Sequence, residues 1–193
     1  MTQKNFPIIL NDFGYLHQML PDSMKMNLLM AALDLDIFSA LVYSHDADTI
    51  AKNHQLHAQN TGHLLDALAA IDLVRKNDGQ YQNSPLADEF LVKGKETYLG
   101  DYFRICYPWY TITPEKMCQL VREGPVPVED AHDLKSEELW AYQARNTMNY
   151  QRAGMAQMII SLISNLPEYP QFSKMLDLGC GPGLYGISIV MNH

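Results

Sequence analysis

Apolar residues recur at helical spacing along most of the chain, with two interruptions that read differently. In MKMNLLMAALDLDIFSALV, Leu28, Leu29, Ala32, Leu33, Ile37 and Leu41 fall on one face, so a single amphipathic helix is expected after Pro21-Asp22-Ser23. His45-Asp46 reads as a turn into a short helix, DTIAKNHQL, which Asp48 can cap by accepting an orphan backbone N–H. HAQNTGHLLDALAAIDL follows, with Leu64, Leu65, Leu68 and Ile71 on one face. The helical period then stops at VRKNDGQYQNS, where Asn77-Asp78-Gly79 supplies the positive-φ positions of a tight hairpin between two short strands.

Helix, turn, helix, hairpin is the order of a winged helix, and it occupies residues 1–100. The second part, 101–172, is helical and aromatic. Thr113-Pro114-Glu115 reads as N-cap, first-turn proline and an acid suited to the helix dipole, opening a helix that Gly124 closes. After the loop GPVPVEDAHD, Ser136 caps one long helix that stops near Asn165 and Pro167. Its apolar stripe is Trp140, Ala144, Met148, Met155, Ile159, Leu162 and Ile163. In the third part, 173–193, MLDL is a buried-strand candidate, GCGPG a glycine-rich turn and LYGISIVM the opening of a helix. The expected fold is mainly α, with the first strand-loop-helix of an α/β domain at the end.

The 193 residues are 47% apolar and 19% charged, which describes an ordinary globular chain. A formal charge of -8 argues against phosphate backbones or anionic lipid as partners, so no nucleic acid and no membrane are expected. No run approaches the roughly 18 uninterrupted apolar residues of a membrane span, and the N-terminus lacks a signal peptide's apolar core. The expectation is a cytoplasmic protein. Cys106, Cys118 and Cys180 form no C-x-x-C pair and read as reduced thiols. The N-terminal region carries more apolar side chains than one small winged helix needs, and a second copy would bury the excess.

Chemistry concentrates in DLGCGPGLYG. Gly179, Gly181 and Gly183 let the chain turn sharply and let a ligand approach the backbone without meeting a Cβ. Gly181, Gly183 and Gly186 also satisfy the G-x-G-x-x-G of dinucleotide binding, so NAD stays open on spacing alone. Asp177 discriminates. Two residues before the first glycine, its carboxylate would repel a pyrophosphate but suits a cationic ligand such as S-adenosylmethionine, which carries an ammonium and a sulfonium.

On these residues the chain resembles the class I S-adenosylmethionine-dependent small-molecule O-methyltransferases, which join a winged-helix dimerisation domain to a Rossmann-like catalytic domain. DTIAKNHQLHAQNTGHLLDALAAIDLVRKNDGQYQNSPLADEFL resembles the winged-helix segment, the Trp109 region and the helix bearing Thr147-Met148 the connecting helices, and MLDLGCGPGLYG the first cofactor motif. The resemblance implies S-adenosylmethionine as cofactor, held by Gly179, Gly181 and Gly183 with Asp177 in support. It implies a small-molecule acceptor against Trp109 and Met148, and a homodimer. Members of that family continue well beyond this motif and usually supply their base there, so no catalytic residue is assigned. His193 does not occupy that position. The 193 residues read as an N-terminal portion inactive alone, or as a non-catalytic dimerisation module.

The remaining constellations carry less. A winged helix can read DNA, but HAQNTGHLLDALAAIDL contains no Lys or Arg, and only Arg75 and Lys76 in the wing could meet phosphates. His54, His57 and His63 lack a carboxylate or thiolate at ligand spacing, and Cys106, Cys118 and His132 make no convincing zinc set, so no metal is expected. Tyr102, Phe103, Tyr107, Trp109 and Tyr110 either wall an acceptor pocket or pack the joint between domains. Met24, Met26 and Met30 suit helix packing or a dimer surface.

Overall fold

The computed structural model describes residues 10–124 and 137–192. Most of the GPVPVEDAHD loop, the Ser136 cap, His132 and His193 lie outside the described residues.

Helix α1 spans Gly14–Asp34 and so begins well before Pro21, not after it. Asp12 Oδ1 accepts from the Gly14 N–H at 2.8 Å and starts the first turn. Pro21 costs this helix one backbone bond. The triplet expected to precede the helix instead lies within it: Asp22 pairs with Lys25 at 2.8 Å, and Ser23 Oγ donates to the Leu20 carbonyl at 2.9 Å.

The apolar stripe does not make one rod either. At Asp36 the backbone takes φ 57°, and α2 (Ile37–Tyr43) leaves α1 at 59°. Aspartate tolerates the left-handed region better than most residues. Here its carboxylate also accepts from Ser39 Oγ at 2.7 Å and meets Lys93 Nζ at 3.2 Å. The bend folds Ile37, Phe38 and Leu41 into the core shared with Leu33, Ile50, Leu65 and Leu68. Burial of these apolar side chains is the main force holding the unit together.

Helix α3 (Ala47–Asn53) is capped by Asp46, not Asp48. A cap residue needs extended backbone, which Asp46 has, and its Oδ2 accepts from the Thr49 N–H at 2.8 Å and Oγ1 at 2.7 Å. Helix α4 (Ala58–Ala70) follows, then the hairpin of β1 (Val74–Asn77) and β2 (Gln80–Asn83), antiparallel with Val74 opposite Asn83. Asp78 and Gly79 sit at φ 50° and 78°, the two positive angles expected of the turn. The hairpin is tied back by the Tyr81 N–H to the His45 carbonyl at 2.8 Å. Ser84 then caps α5 (Pro85–Leu91) through the Ala87 N–H at 3.2 Å.

Asp66 on α4 pins the wing. Its Oδ1 accepts from Lys76 Nζ at 2.6 Å and from the hydroxyl of buried Tyr81 at 2.7 Å. Those two hydrogen bonds, Lys76 first, hold its carboxyl below the ordinary aspartate value. The stabilisation is therefore complete above the unfolded value of about 3.9 and is lost as pH falls through the lowered folded value. Between about pH 5 and about pH 2 the urea midpoint of the native chain should fall further than that of Asp66→Asn. Equal falls would remove Asp66 from the acid response.

Helix α6 (Gly100–Tyr110) joins this unit to the rest through Arg104. Its guanidinium donates to the Leu33 carbonyl at 2.8 Å, Tyr98 Oη at 3.1 Å, and Asp34 and Asp101 at 3.2 Å each. Helix α7 (Pro114–Glu123) has the expected termini: Thr113 Oγ1 accepts from the Lys116 N–H at 3.2 Å, and Gly124 ends it at φ 84°.

The long helix expected to reach Asn165 is interrupted. Helix α8 (Glu137–Tyr150) ends in a kink across Gln151–Met155, where Gly154 leaves the helical region at φ 129°, and α9 (Ala156–Ser164) is a second helix beyond it. Only glycine adopts such an angle without strain. Helix α9 does stop at Asn165. A single 3₁₀ turn at Tyr169–Gln171 leads to residues 172–177, which form no strand, contrary to the reading of MLDL. A strand is defined by ladder bonds to a neighbour, and among the described residues only β1 and β2 pair. Helix α10 (Leu184–Asn192) closes the described structure. No single helix among the described residues is long and apolar enough to cross a membrane.

Candidate functional site

The glycine turn ahead of α10 has the backbone its composition implies. Gly179, Gly181 and Gly183 take φ 70°, 54° and 76°, angles that other residues adopt only under strain. The Gly183 N–H donates to the Cys180 carbonyl at 2.9 Å, and the Gly183 carbonyl accepts from the Ile187 N–H at 3.0 Å, starting α10. A Cβ at any of the three glycines would meet no atom within 4 Å, so the backbone faces open space.

Asp177 and Gly186 meet across the base of this turn. A Cβ on Gly186 would lie 3.3 Å from Asp177 Oδ2 and 3.2 Å from Met175 Cε. The absence of a side chain at 186 thus lets the carboxylate seat against the first turn of α10. A carboxylate there suits the positive end of the helix dipole. It also leaves less positive potential for a diphosphate and more attraction for a cationic group. Gly186 figured in the sequence only as part of a dinucleotide spacing; its role in seating Asp177 emerges from the fold.

The aromatic run divides between the two readings offered for it. Tyr102 on α6 stacks on Tyr150 at the end of α8, ring centroids 4.2 Å apart and planes within 7°. Burial, then the Cys106 thiol, then Tyr150 push the Tyr102 phenol well above its ordinary value. Burial and Tyr150 also raise Tyr185, the second residue of α10. These phenols stay protonated at neutral pH and serve as packing and hydrogen-bonding groups, not as bases. Trp109, at the far end of α6, is 77% exposed, and Met148 is half-buried two residues before Tyr150 of the stack. The helices carrying Trp109 and Met148 pack together.

Elsewhere, an open apolar groove of about 540 Å³ runs between α9 and α10, lined by Ile163, Leu166, Phe172, Met175, Ile189 and Val190 among others. His57 Nδ1 accepts from the Asn60 N–H at 3.3 Å and so caps α4. No cluster of three or more potential metal ligands occurs among the described residues. Arg104 carried no signal in the sequence, because its partners lie up to 71 residues away.

Residues 18–93 match the family profile described as the O-methyltransferase dimerisation domain. The chain is 33% identical over 157 residues to the tetracenomycin polyketide synthesis 8-O-methyl transferase TcmO of Streptomyces glaucescens, covering 80% of this chain and 46% of that protein. It is 32% identical over 178 residues to the 3-hydroxy-5-methyl-1-naphthoate 3-O-methyltransferase of Streptomyces sahachiroi, covering 88% and 49%. The chain thus spans about half the length of the curated relatives it matches. Its fold is shared with human N-acetylserotonin methyltransferase, solved in complex with SAM, at a TM-score of 0.72 and 20% identity over 96% of this chain and 58% of that one. The profile agrees with the winged-helix order of α2 to β2, and the relatives and the fold make the chain similar to O-methyltransferases beyond it: residues 18–93 match the dimerisation domain of the O-methyltransferase family.

Proposed function

We propose that this chain supplies three parts of an S-adenosylmethionine-dependent O-methyltransferase: a dimerisation domain (1–100), connecting helices that wall the acceptor pocket (101–172), and the cofactor turn (173–193). The observation that carries this reading is the open backbone at Gly179, Gly181 and Gly183 with Asp177 seated beside it. The residues fit the cofactor. The glycine backbone would lie along it, and Asp177 would favour its cationic end over the diphosphate of NAD.

S-adenosylmethionine supplies an electrophilic methyl group on a sulfonium. The task of the protein is then alignment of an acceptor oxygen with that carbon and exclusion of water. Trp109 and Met148 are the residues we assign to the acceptor. An aromatic or polyketide-like acceptor suits an aromatic wall and accords with the polyketide and naphthoate chemistry in the names of the two curated relatives. Calorimetry on the complete protein tests the reading: S-adenosylmethionine should bind and NAD should not. Tight NAD binding with no S-adenosylmethionine binding would sink it.

The dimer we propose is built on α1. Its first half reaches no core, and Phe13, Tyr15, Leu16, Met19, Leu20 and Met24 are all exposed along it. Such a stripe requires cover. The native chain should weigh two copies by light scattering at micromolar concentration, and Leu16→Glu with Leu20→Glu should weigh one. A native mass of 21.9 kDa would count against this. Three cysteines without a disulfide accord with a cytoplasmic location.

A further inference from the structure

Helix α6 meets two neighbours with opposite faces. Tyr102 and Trp109 are seven residues apart and so share a face, the one from which Tyr102 stacks on Tyr150 of α8. Phe103, Arg104 and Tyr107 occupy the other face. Phe103 and Tyr107 pack on the core of the winged helix, and Arg104 reaches the Leu33 carbonyl and Asp34 at the C-terminal end of α1. The Tyr107 hydroxyl donates to Asn27 Oδ1 at 2.6 Å, further back along α1. Asn27 and Leu33 lie about 9 Å apart along that helix, so α6 is pinned to α1 at two separate points.

The joint is polar by construction. Burial of Phe103 and of the Tyr107 ring is non-directional and tolerates a roll of α6 about its axis, whereas a guanidinium fixes direction through its planar fork. All three Arg104 nitrogens are engaged: by the end of α1, by Tyr98 ahead of α6 and by Asp101 on it. Gly100 makes room for this, since a Cβ there would collide with the Tyr98 hydroxyl. A cation at the last carbonyls of α1 also suits the negative end of the helix dipole. Pro108 has no N–H to offer the Arg104 carbonyl, so α6 is short of one backbone bond in the turn that leads to Trp109. Side-chain ties to α1 therefore hold the stretch of α6 that its own backbone holds least.

We propose that Arg104 and Tyr107 are positioning residues for the methyl acceptor: by pinning α6 to α1 they fix the direction in which Trp109 is presented. The inference rests on the assignment of Trp109 to the acceptor and adds what holds that residue in place. Both residues act through Trp109 and not on the acceptor itself. Small displacements of a positioning group are costly to a reaction that depends on alignment.

The test is fluorine NMR of the complete protein labelled with fluorotryptophan, the Trp109 resonance being identified by its loss in Trp109→Phe. Arg104→Leu should shift and broaden that resonance, and Tyr107→Phe, which keeps the ring in the core and removes only the hydroxyl, should do so to a smaller extent. Arg104→Lys keeps the charge without the fork and should fall between native and leucine. Naphthol is the probe acceptor, titrated with S-adenosylhomocysteine present and followed at the Trp109 resonance. Its affinity should fall about tenfold in Arg104→Leu, while S-adenosylhomocysteine affinity by calorimetry stays within about twofold. Asp66→Asn, which loosens the wing and touches no residue of α6, should change neither readout. A Trp109 resonance unmoved in both Arg104→Leu and Tyr107→Phe overturns the inference alone, as does an equal response in Asp66→Asn, which marks general loosening. Where Arg104→Leu does not fold, Tyr107→Phe decides. Naphthol that leaves the native Trp109 resonance in place overturns the acceptor role of Trp109 and this inference with it.

Discussion

Gly181→Val should abolish S-adenosylmethionine binding by the complete protein, and Asp177→Asn should weaken it by a smaller factor. Two effects act together in the valine variant. At φ 54° a β-branched residue is strained by about 1–2 kcal/mol, so the turn shifts away from its native path. Whatever path it takes, the branched side chain then fills space that is empty within 4 Å of the glycine. The fold should survive, because the turn is exposed and makes no core contact. Asp177→Asn keeps the shape beside Gly186 and removes only charge. Calorimetry shows the binding loss and thermal unfolding shows the intact fold. Undiminished binding in Gly181→Val would detach the cofactor from this turn.

The second large effect lies in the dimerisation domain. Phe38 is 1% exposed and is the largest of its fully buried side chains. Phe38→Ala should lower the free energy of unfolding by about 3–5 kcal/mol, from lost transfer energy and the cavity left behind. That is a large part of the roughly 5–15 kcal/mol a domain possesses. The Phe38 carbonyl, which accepts from Asn83 Nδ2 at 2.8 Å, is retained, so the loss isolates the ring. Leu86→Ala, at an exposed neighbouring helix position, should cost under about 0.5 kcal/mol. Urea denaturation followed by circular dichroism measures both, and equal midpoints for the two variants would remove Phe38 from the centre of the core.

What could be read from the sequence divides by the range of the interaction. The Asp78-Gly79 turn, the Thr113 cap and the Gly124 stop are each decided by bonds spanning a few residues, and each appears where the pattern put it. The break at Asp36 was not legible, because the apolar spacing runs through it unbroken and the bend is fixed by Ser39 and by Lys93, which lies far along the chain. MLDL has a strand's composition, but a ladder needs a second backbone. At the candidate site the glycines announced their own positive angles. The break at Gly154 did not show itself, since the apolar spacing of the long helix runs on through it.

That break also separates two surfaces. Gly154 at φ 129° lies outside the helical region, so α8 and α9 are two helices with their own axes and not one rod. The stripe read as continuous from Trp140 to Ile163 is therefore two stripes. Helix α8 packs against α6, while Ile163 on α9 lines the groove shared with α10. Any other residue at 154 would resist that angle and favour a straight helix, whose single axis would have to address both neighbours. The glycine works as an elbow between the half that meets the aromatic cluster and the half that meets the glycine turn's helix.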